Sequence, residues 1–256
     1  MTLLTSEILD FFYTFLWPMV RISAFLLVAP IFSISVVNIR IRIVIAFFLT
    51  LTVYPLHQWQ NINPISSFGL STFFSEAIIG LLMGLIAQVV VAAVVVAGQS
   101  IANAVGLGMA NMMDPNLGNV PVISQFFIII STLVFLINSG HLILTGLLLE
   151  TFNYFPVGFG LNVGDLYGKF IPWSSMIFLG ALLIAIPVIV AMLFLNIGVG
   201  IITRAAPSLN IFAIGFPAFL FGGFLFLLIS IPVITNRIEW IWLRSFIIIR
   251  NIYGIS

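Results

Sequence analysis

The sequence predicts an all-α integral membrane protein of about six long apolar helical segments, some kinked or broken, with an irregular plug-like loop between the third and the fourth. Three observations carry this. Of 256 residues, 62% are hydrophobic and only 6% are charged, against about 25% charged in an average soluble domain. The mean hydropathy is +1.30. The apolar residues fall in continuous runs rather than alternating, which separates lipid-facing helices from barrel strands.

The same composition narrows the function. The chain has no cysteine, which removes disulfide frameworks, thiolate metal sites and iron–sulfur clusters. A net charge of +1 offers no basic surface for nucleic acid. The opening MTLLTSEILDFF has no basic n-region and is read as mature sequence.

The first run is Phe11 to Ile34, punctuated by Pro18 and Pro30 and carrying Arg21. A cation costs about 2.5–3.5 kcal/mol at the centre of a membrane helix on insertion scales. Arg21 therefore snorkels or pairs with an acid on a neighbouring helix, for assembly, or faces a wet pathway; the first is preferred. The second run, Ile43 to Leu56, follows Arg40 and Arg42. Fourteen residues reach about 21 Å, short of a ~30 Å hydrocarbon core. It spans only if the helix includes the arginines or if its surroundings are not ordinary bilayer. His57 to Gly69 reads as a polar loop.

The third run extends from Ser71 to Ala97. Glu76, Gly80, Gly84 and Gln88 recur every four residues, forming one helical stripe. Gly80 and Gly84 allow close helix approach, and Glu76 and Gln88 are expected to hydrogen-bond across it. An ion-binding carboxylate at Glu76 is the sharper alternative.

Gly98 to Val122 then combines four glycines, four asparagines, three methionines, an aspartate and two prolines, with no lysine or arginine. A straight spanning helix is not expected there. Irregular backbone at membrane depth is tolerated where protein buries it or where it lines a cavity. Met109, Met112 and Met113 are adaptable side chains, and Asp114-Pro115 suggests a turn. Residue types alone leave two readings open: a pathway seal, or an ordinary packed re-entrant loop.

The fourth run, Val122 to Ile137, is broken at Asn138 to Gly140 and resumes from His141 to Leu149. His141 is expected to make a satisfied polar contact at the break. Residues 151–170 read as a long Gly- and aromatic-rich loop. The fifth run, Trp173 to Ile202, contains Pro187, and Asn196, Gly200 and Arg204 share a face near its end. Pro207 stops that helix, and Asn210 or Ser208 caps the next, so 173–235 forms a helical hairpin with a polar tip. The sixth run, Ile211 to Ile234, holds Gly215, Pro217, Gly222, Gly223 and Pro232. The tail from Arg237 to Ser256 reads as an interfacial amphipathic segment. Loop charges do not settle orientation: three basic residues oppose four.

No phosphate loop, dinucleotide fingerprint or hydrolase motif is present, and the seven acids and two histidines are scattered. No enzyme, cofactor or metal site is expected. A transporter or channel and a subunit of a larger translocation assembly remain. The unequal halves favour the assembly subunit.

Two segments carry a resemblance. AGQSIANAVGLGMANMMDPNLG resembles the glycine-rich segment ending in an Asp-Pro turn of the FliR family, the export-gate subunits of flagellar type III secretion. LNIGVGIITRAAPSLNIFAIGFP is similar to that family's second signature, Arg-x-x-Pro followed by Leu-Asn-x-Phe and Gly-Phe-Pro; Ser208 stands where the family commonly has glutamine. RISAFLLVAPIF and the following arginine-rich turn also fit, so the resemblance covers nearly the whole chain.

The resemblance implies a single membrane domain, 1–256. Residues 1–165 would resemble a larger export-gate partner, and 170–256 a smaller one. Two other small export-gate membrane proteins, each in several copies, a cytoplasmic-gate membrane protein, unfolded export substrates and lipid would be its partners, with no nucleic acid. It would reside in the bacterial inner membrane, at the flagellar basal body. The segment 106–122 would plug the pore through Gly106, Gly108, Met109, Asn111, Met112, Met113, Asp114, Pro115, Asn116 and Gly118. Arg204, Pro207 and Asn210 would meet a partner at the hairpin tip. Arg21, Glu76, Gly80, Gly84 and Gln88 would serve packing and assembly. The injectisome counterpart is the alternative within the family; a small-solute transporter or ion channel is the alternative outside it.

Overall fold

The computed structural model describes residues 2–30, 32, 38–107, 122–159, 163–205 and 211–255. Among them the regular structure is helical: α1 Thr2–Val28, α2 Ile39–Val53 with a 3-10 turn Tyr54–Leu56, α3 Ser67–Val105, α4 Val122–Ile137, α5 Gly140–Tyr154, α6 Val163–Ser174, α7 Met176–Ala205 and α8 Ile211–Tyr253. Five stretches are long and apolar enough to cross a membrane, and a sixth is made if α4 and α5, bent by 65°, count as one broken span. These correspond to the six expected segments.

Several boundaries differ from the sequence reading. α2 does include Arg40 and Arg42, because Asn38 caps it and accepts a hydrogen bond from the Arg40 N–H. α3 runs for 39 residues, about 58 Å at 1.5 Å per residue. It continues through Gly98 to Val105, so the first part of the stretch expected to be irregular is helical. Gly98 is there for packing: a Cβ on it would collide with Ser124 of α4. Of residues 151–170, expected as one long loop, 151–154 end α5 and 163–170 begin α6, while 155–159 are non-helical. The fifth run divides at Ser175, whose carbonyl accepts from the Phe178 and Leu179 N–H groups at the start of α7. The tail is not a separate segment: α8 continues unbroken through it and buries Phe246, Ile249, Ile252 and Tyr253.

The break between α4 and α5 falls where Asn138 to Gly140 places it. Ser139 adopts a left-handed conformation, φ 53°. Asn138 folds its side-chain amide back onto the Val134 carbonyl at 3.0 Å, satisfying a terminal acceptor of α4. His141 follows at once, but its buried Nδ1 has no hydrogen-bond partner among the described residues, contrary to expectation.

The chain forms two compact units, each drawn from separate stretches. The first comprises residues 1–89, 139–174 and 244–256, the second 90–138 and 175–243. The first unit is built on the early part of α3. Trp173 donates Nε1 to the Ile86 carbonyl at 3.0 Å, and Tyr253 donates its hydroxyl to the Ile79 carbonyl at 2.7 Å. Large buried aromatics place their polar tips on an acceptor in this way. In the second unit Trp242 of α8 donates to Ser131 of α4 at 3.0 Å and stands 4.5 Å from the Phe135 ring. Gly180 of α7 packs tightly on Ala93 and Ile241, so that an added Cβ would stand 3.2 Å and 3.0 Å from their side chains. The division at 165 and 170 implied by the resemblance concerns kinship with partner folds, and is independent of this compact-unit division.

Candidate functional site

The most concentrated polar site lies inside the first unit. Arg21, fully buried, comes from α1, and Glu76, 1% exposed, from α3. The guanidinium Nε donates to Glu76 Oε2 at 2.7 Å. Nη1 donates to Thr151 Oγ1 at 3.1 Å, and Nη2 to the Phe155 carbonyl at 2.7 Å. Its central carbon lies 4.2 Å from the centre of the Phe152 ring. Phe155 is the C-cap of α5, so its carbonyl belongs to a helix end that needs an outside donor. A cation is the favoured charge there. One guanidinium thus neutralises a carboxylate on α3 and terminates α5, from a third helix.

The sequence stripe on α3 explains why α1 can come this close. A Cβ on Gly80 would strike the Arg21 carbonyl, and one on Gly84 would crowd the Ala29 N–H and the Phe25 carbonyl. Glu76 accepts across that contact. Gln88, half-buried, does not: its buried Oε1 has no partner among the described residues. Thr151, Phe152, Phe155 and Tyr253 were absent from the sequence candidates. Arg21 and Thr151 are 130 positions apart, and no spacing rule connects them. The usable signal is general: a buried Tyr or Trp and an intramembrane cation each require a partner.

The second candidate is the plug segment. Its entrance is well defined. Gly106, at φ 91°, ends α3 with two reciprocal bonds: its own N–H to the Asn103 carbonyl at 3.1 Å, and the Leu107 N–H to the Ala102 carbonyl at 2.9 Å. This Schellman arrangement requires a left-handed residue after the last helical one, which glycine supplies without strain. The segment leaves α3 at Leu107 and rejoins a helix at Val122. Both residues, with Phe126 of α4 and Phe224, Leu228 and Ile231 of α8, line an apolar cavity of about 290 Å³ in the second unit. Gly108, Met109, Asn111, Met112, Met113, Asp114, Pro115, Asn116 and Gly118 lie outside the described residues.

At the hairpin tip Arg204 is exposed in the last turn of α7, where a cation is favourable. Gly200, on the same face, has open space around it. Pro207 and Asn210 lie outside the described residues.

Comparison with known proteins gives one consistent result. A family described as bacterial export proteins, family 1, matches residues 12–244. The chain is 32% identical to the flagellar biosynthetic protein FliR of Escherichia coli (strain K12) over 249 residues, 97% of this chain and 95% of that protein. It is 32% identical to the protein of the same name from Bacillus subtilis (strain 168) over 256 residues, 98% of this chain and 94% of that one. It is also 30% identical to the Yop proteins translocation protein T of Yersinia pestis over 215 residues, 80% of each chain.

Proposed function

The chain belongs to the bacterial export proteins of family 1, and from that premise we propose that it is a subunit of the flagellar type III protein export gate. It forms and plugs the pore through which unfolded rod, hook and filament proteins cross the inner membrane. The observation that carries this reading is the end-to-end similarity to flagellar biosynthetic proteins from two distant bacteria, on a chain whose helices are long and apolar enough to cross a membrane.

The residues support a division of labour. The apolar cavity lined by Leu107 and Val122, near the two ends of the 106–122 segment, offers a seat without charge to hold ions. The methionines of that segment seal adaptively, and displacing it opens a path for an extended polypeptide. Arg21 and Glu76 hold the surrounding helices rather than conducting, since each is already engaged inside the first unit. The role is structural, and energy for transport comes from other components. Two other small export-gate membrane proteins in several copies, and a cytoplasmic-gate protein at the tip near Arg204, complete the assembly.

The test is native mass spectrometry of the tagged chain, co-expressed with its genomic neighbours and extracted in mild detergent. One copy with several copies of two small membrane proteins is expected. A monomer or homodimer without them overturns the reading, and flux assays for a transporter follow. The similarity to the Yersinia translocation protein favours a second reading, the equivalent subunit of an injectisome. Deleting the gene in its own bacterium separates the two: loss of filament export supports the flagellar role, and intact filaments with lost virulence secretion support the other.

A further inference from the structure

Gly98 opens the glycine- and asparagine-rich stretch of the sequence, yet it lies inside α3. Its place there bears on the segment that follows. That segment leaves α3 at Leu107 and rejoins a helix at Val122, so its ends are set by where α3 stops and where α4 is held. Both ends belong to the second unit.

Each end is held by a glycine contact. At the point of departure, Gly223 of α8 lies against Val105, the last residue of α3 and 1% exposed. A Cβ on Gly223 would stand 2.5 Å and 2.7 Å from the two Val105 γ-carbons. At the point of return, Gly98 lies against Ser124, the third residue of α4 and fully buried. A Cβ on Gly98 would stand 2.5 Å from Ser124 Cα, 2.9 Å from its nitrogen and 2.7 Å from its Oγ. The Ser124 hydroxyl also donates to the Val95 carbonyl at 3.0 Å. One turn of α3, from Val95 to Gly98, thus grips the first turn of α4 through both its main chain and its side chain. Close backbone approach at a small residue, with a hydroxyl bonded across it, is how helices join in an apolar medium.

The two contacts differ in stiffness. A valine side chain has some room to repack, whereas main-chain atoms of a helix move only with the helix. A loop takes its position from the rigid elements that carry it. A site whose support is displaced by about 1 Å is present but ineffective.

We propose that Gly98 and Ser124 are positioning residues of the pore seal. They fix the start of α4 on α3, and with it the point at which the segment after Leu107 returns. Gly223 fixes the point of departure in a softer way. The inference rests on the sealing role given to that segment above.

The full chain is purified in its assembly, checked for subunit composition by native mass spectrometry, and placed in vesicles loaded with potassium and a bulky polar dye. Gly98→Ala should keep the composition and raise potassium and proton leakage by roughly tenfold, the shift one overpacked contact gives an equilibrium. The dye should stay inside. Ser124→Ala adds no bulk and removes one hydrogen bond, so it keeps the question open to test where Gly98→Ala fails to fold. It should raise the same leak by roughly threefold. Gly146→Ala, with open space around the added carbon, should leave the vesicles tight. An assembly of full composition that stays tight with either Gly98→Ala or Ser124→Ala overturns the proposal. So does a leak seen only where subunits are lost, or one that releases the dye, since both mark a damaged assembly and not a displaced segment. If the unaltered chain captures no partner proteins, the export-gate reading itself fails, and this inference with it.

Discussion

Arg21 of α1 and Glu76 of α3 meet at 2.7 Å across 55 residues of sequence, in a site from which water is excluded. The pair solves the problem each residue poses alone. A buried ion pair is weak evidence for net stability, but breaking one leaves an uncompensated charge. Arg21→Ala should therefore destabilise the protein by about 3–5 kcal/mol, seen as a fall in the thermal midpoint in detergent. Replacing both, Arg21→Met with Glu76→Leu, should restore most of the loss. If the double variant is as unstable as the single one, the bonds to Thr151 and Phe155 matter more than the charge pair.

Gly80 separates packing from composition. Any side chain there meets the Arg21 backbone, which cannot swing aside as a side-chain end can. Gly80→Ala should cost about 1–3 kcal/mol, the range for overpacked contacts. Gly146→Ala and Gly168→Ala are the controls: nothing lies within 4 Å of the added carbon, and in a helix alanine should gain up to about 1 kcal/mol over glycine. Thermal midpoints of the three variants should order accordingly.

Ser139 sits at φ 53° between α4 and α5. Glycine adopts that conformation without the roughly 1–2 kcal/mol that the left-handed region costs an L-residue. Ser139→Gly should raise the thermal midpoint, and Ser139→Val should lower it. An increase with valine would mean that the bend is not set by this residue.

The Tyr253 hydroxyl donates to the Ile79 carbonyl in a buried setting. Tyr253→Phe removes the bond and little shape, so a loss of about 0.5–1.5 kcal/mol is expected. Tyr253→Ala should cost about 3–5 kcal/mol, the range for deleting a buried aromatic ring. Chemical denaturation of the two variants separates the hydroxyl from the ring.

For the segment between Leu107 and Val122, serine at Met109, Met112 and Met113 together should raise ion leakage of cells making the assembly. If neither leakage nor export changes, the sealing role does not belong to these methionines.

What could be read from the sequence follows from how local each signal is. The break at Asn138 to Gly140 is encoded in three adjacent residues, and the glycine stripe on α3 in a four-residue period. Both are visible without a partner. Gly98 misleads because its meaning depends on Ser124: glycine within a helix marks close approach as readily as it marks irregular backbone. The stretch 151–170 looked like a loop because its aromatics suggested an exposed interface. In the fold Phe152 lies under Arg21 and Phe155 edges onto Tyr253, contacts made across about 100 residues of sequence. Arg21 called for a partner, the interface or a wet cavity, and that one of seven acids answers, Glu76, was settled only by the packing of α1 on α3.

The interleaving of the compact units bears on how the molecule is made. The first unit needs residues 1–89, 139–174 and 244–256 together, so translation delivers its components in three instalments, separated by pieces of the other unit. Arg21 and Glu76 can meet early. Thr151 joins after about 75 more residues have emerged, and Tyr253 arrives about a hundred after that. Contacts so distant in sequence are slow to form and leave apolar surface uncovered in the interim. A nascent chain halted before residue 244 would hold an open first unit, and so a target for membrane proteases that survey unfinished polypeptides.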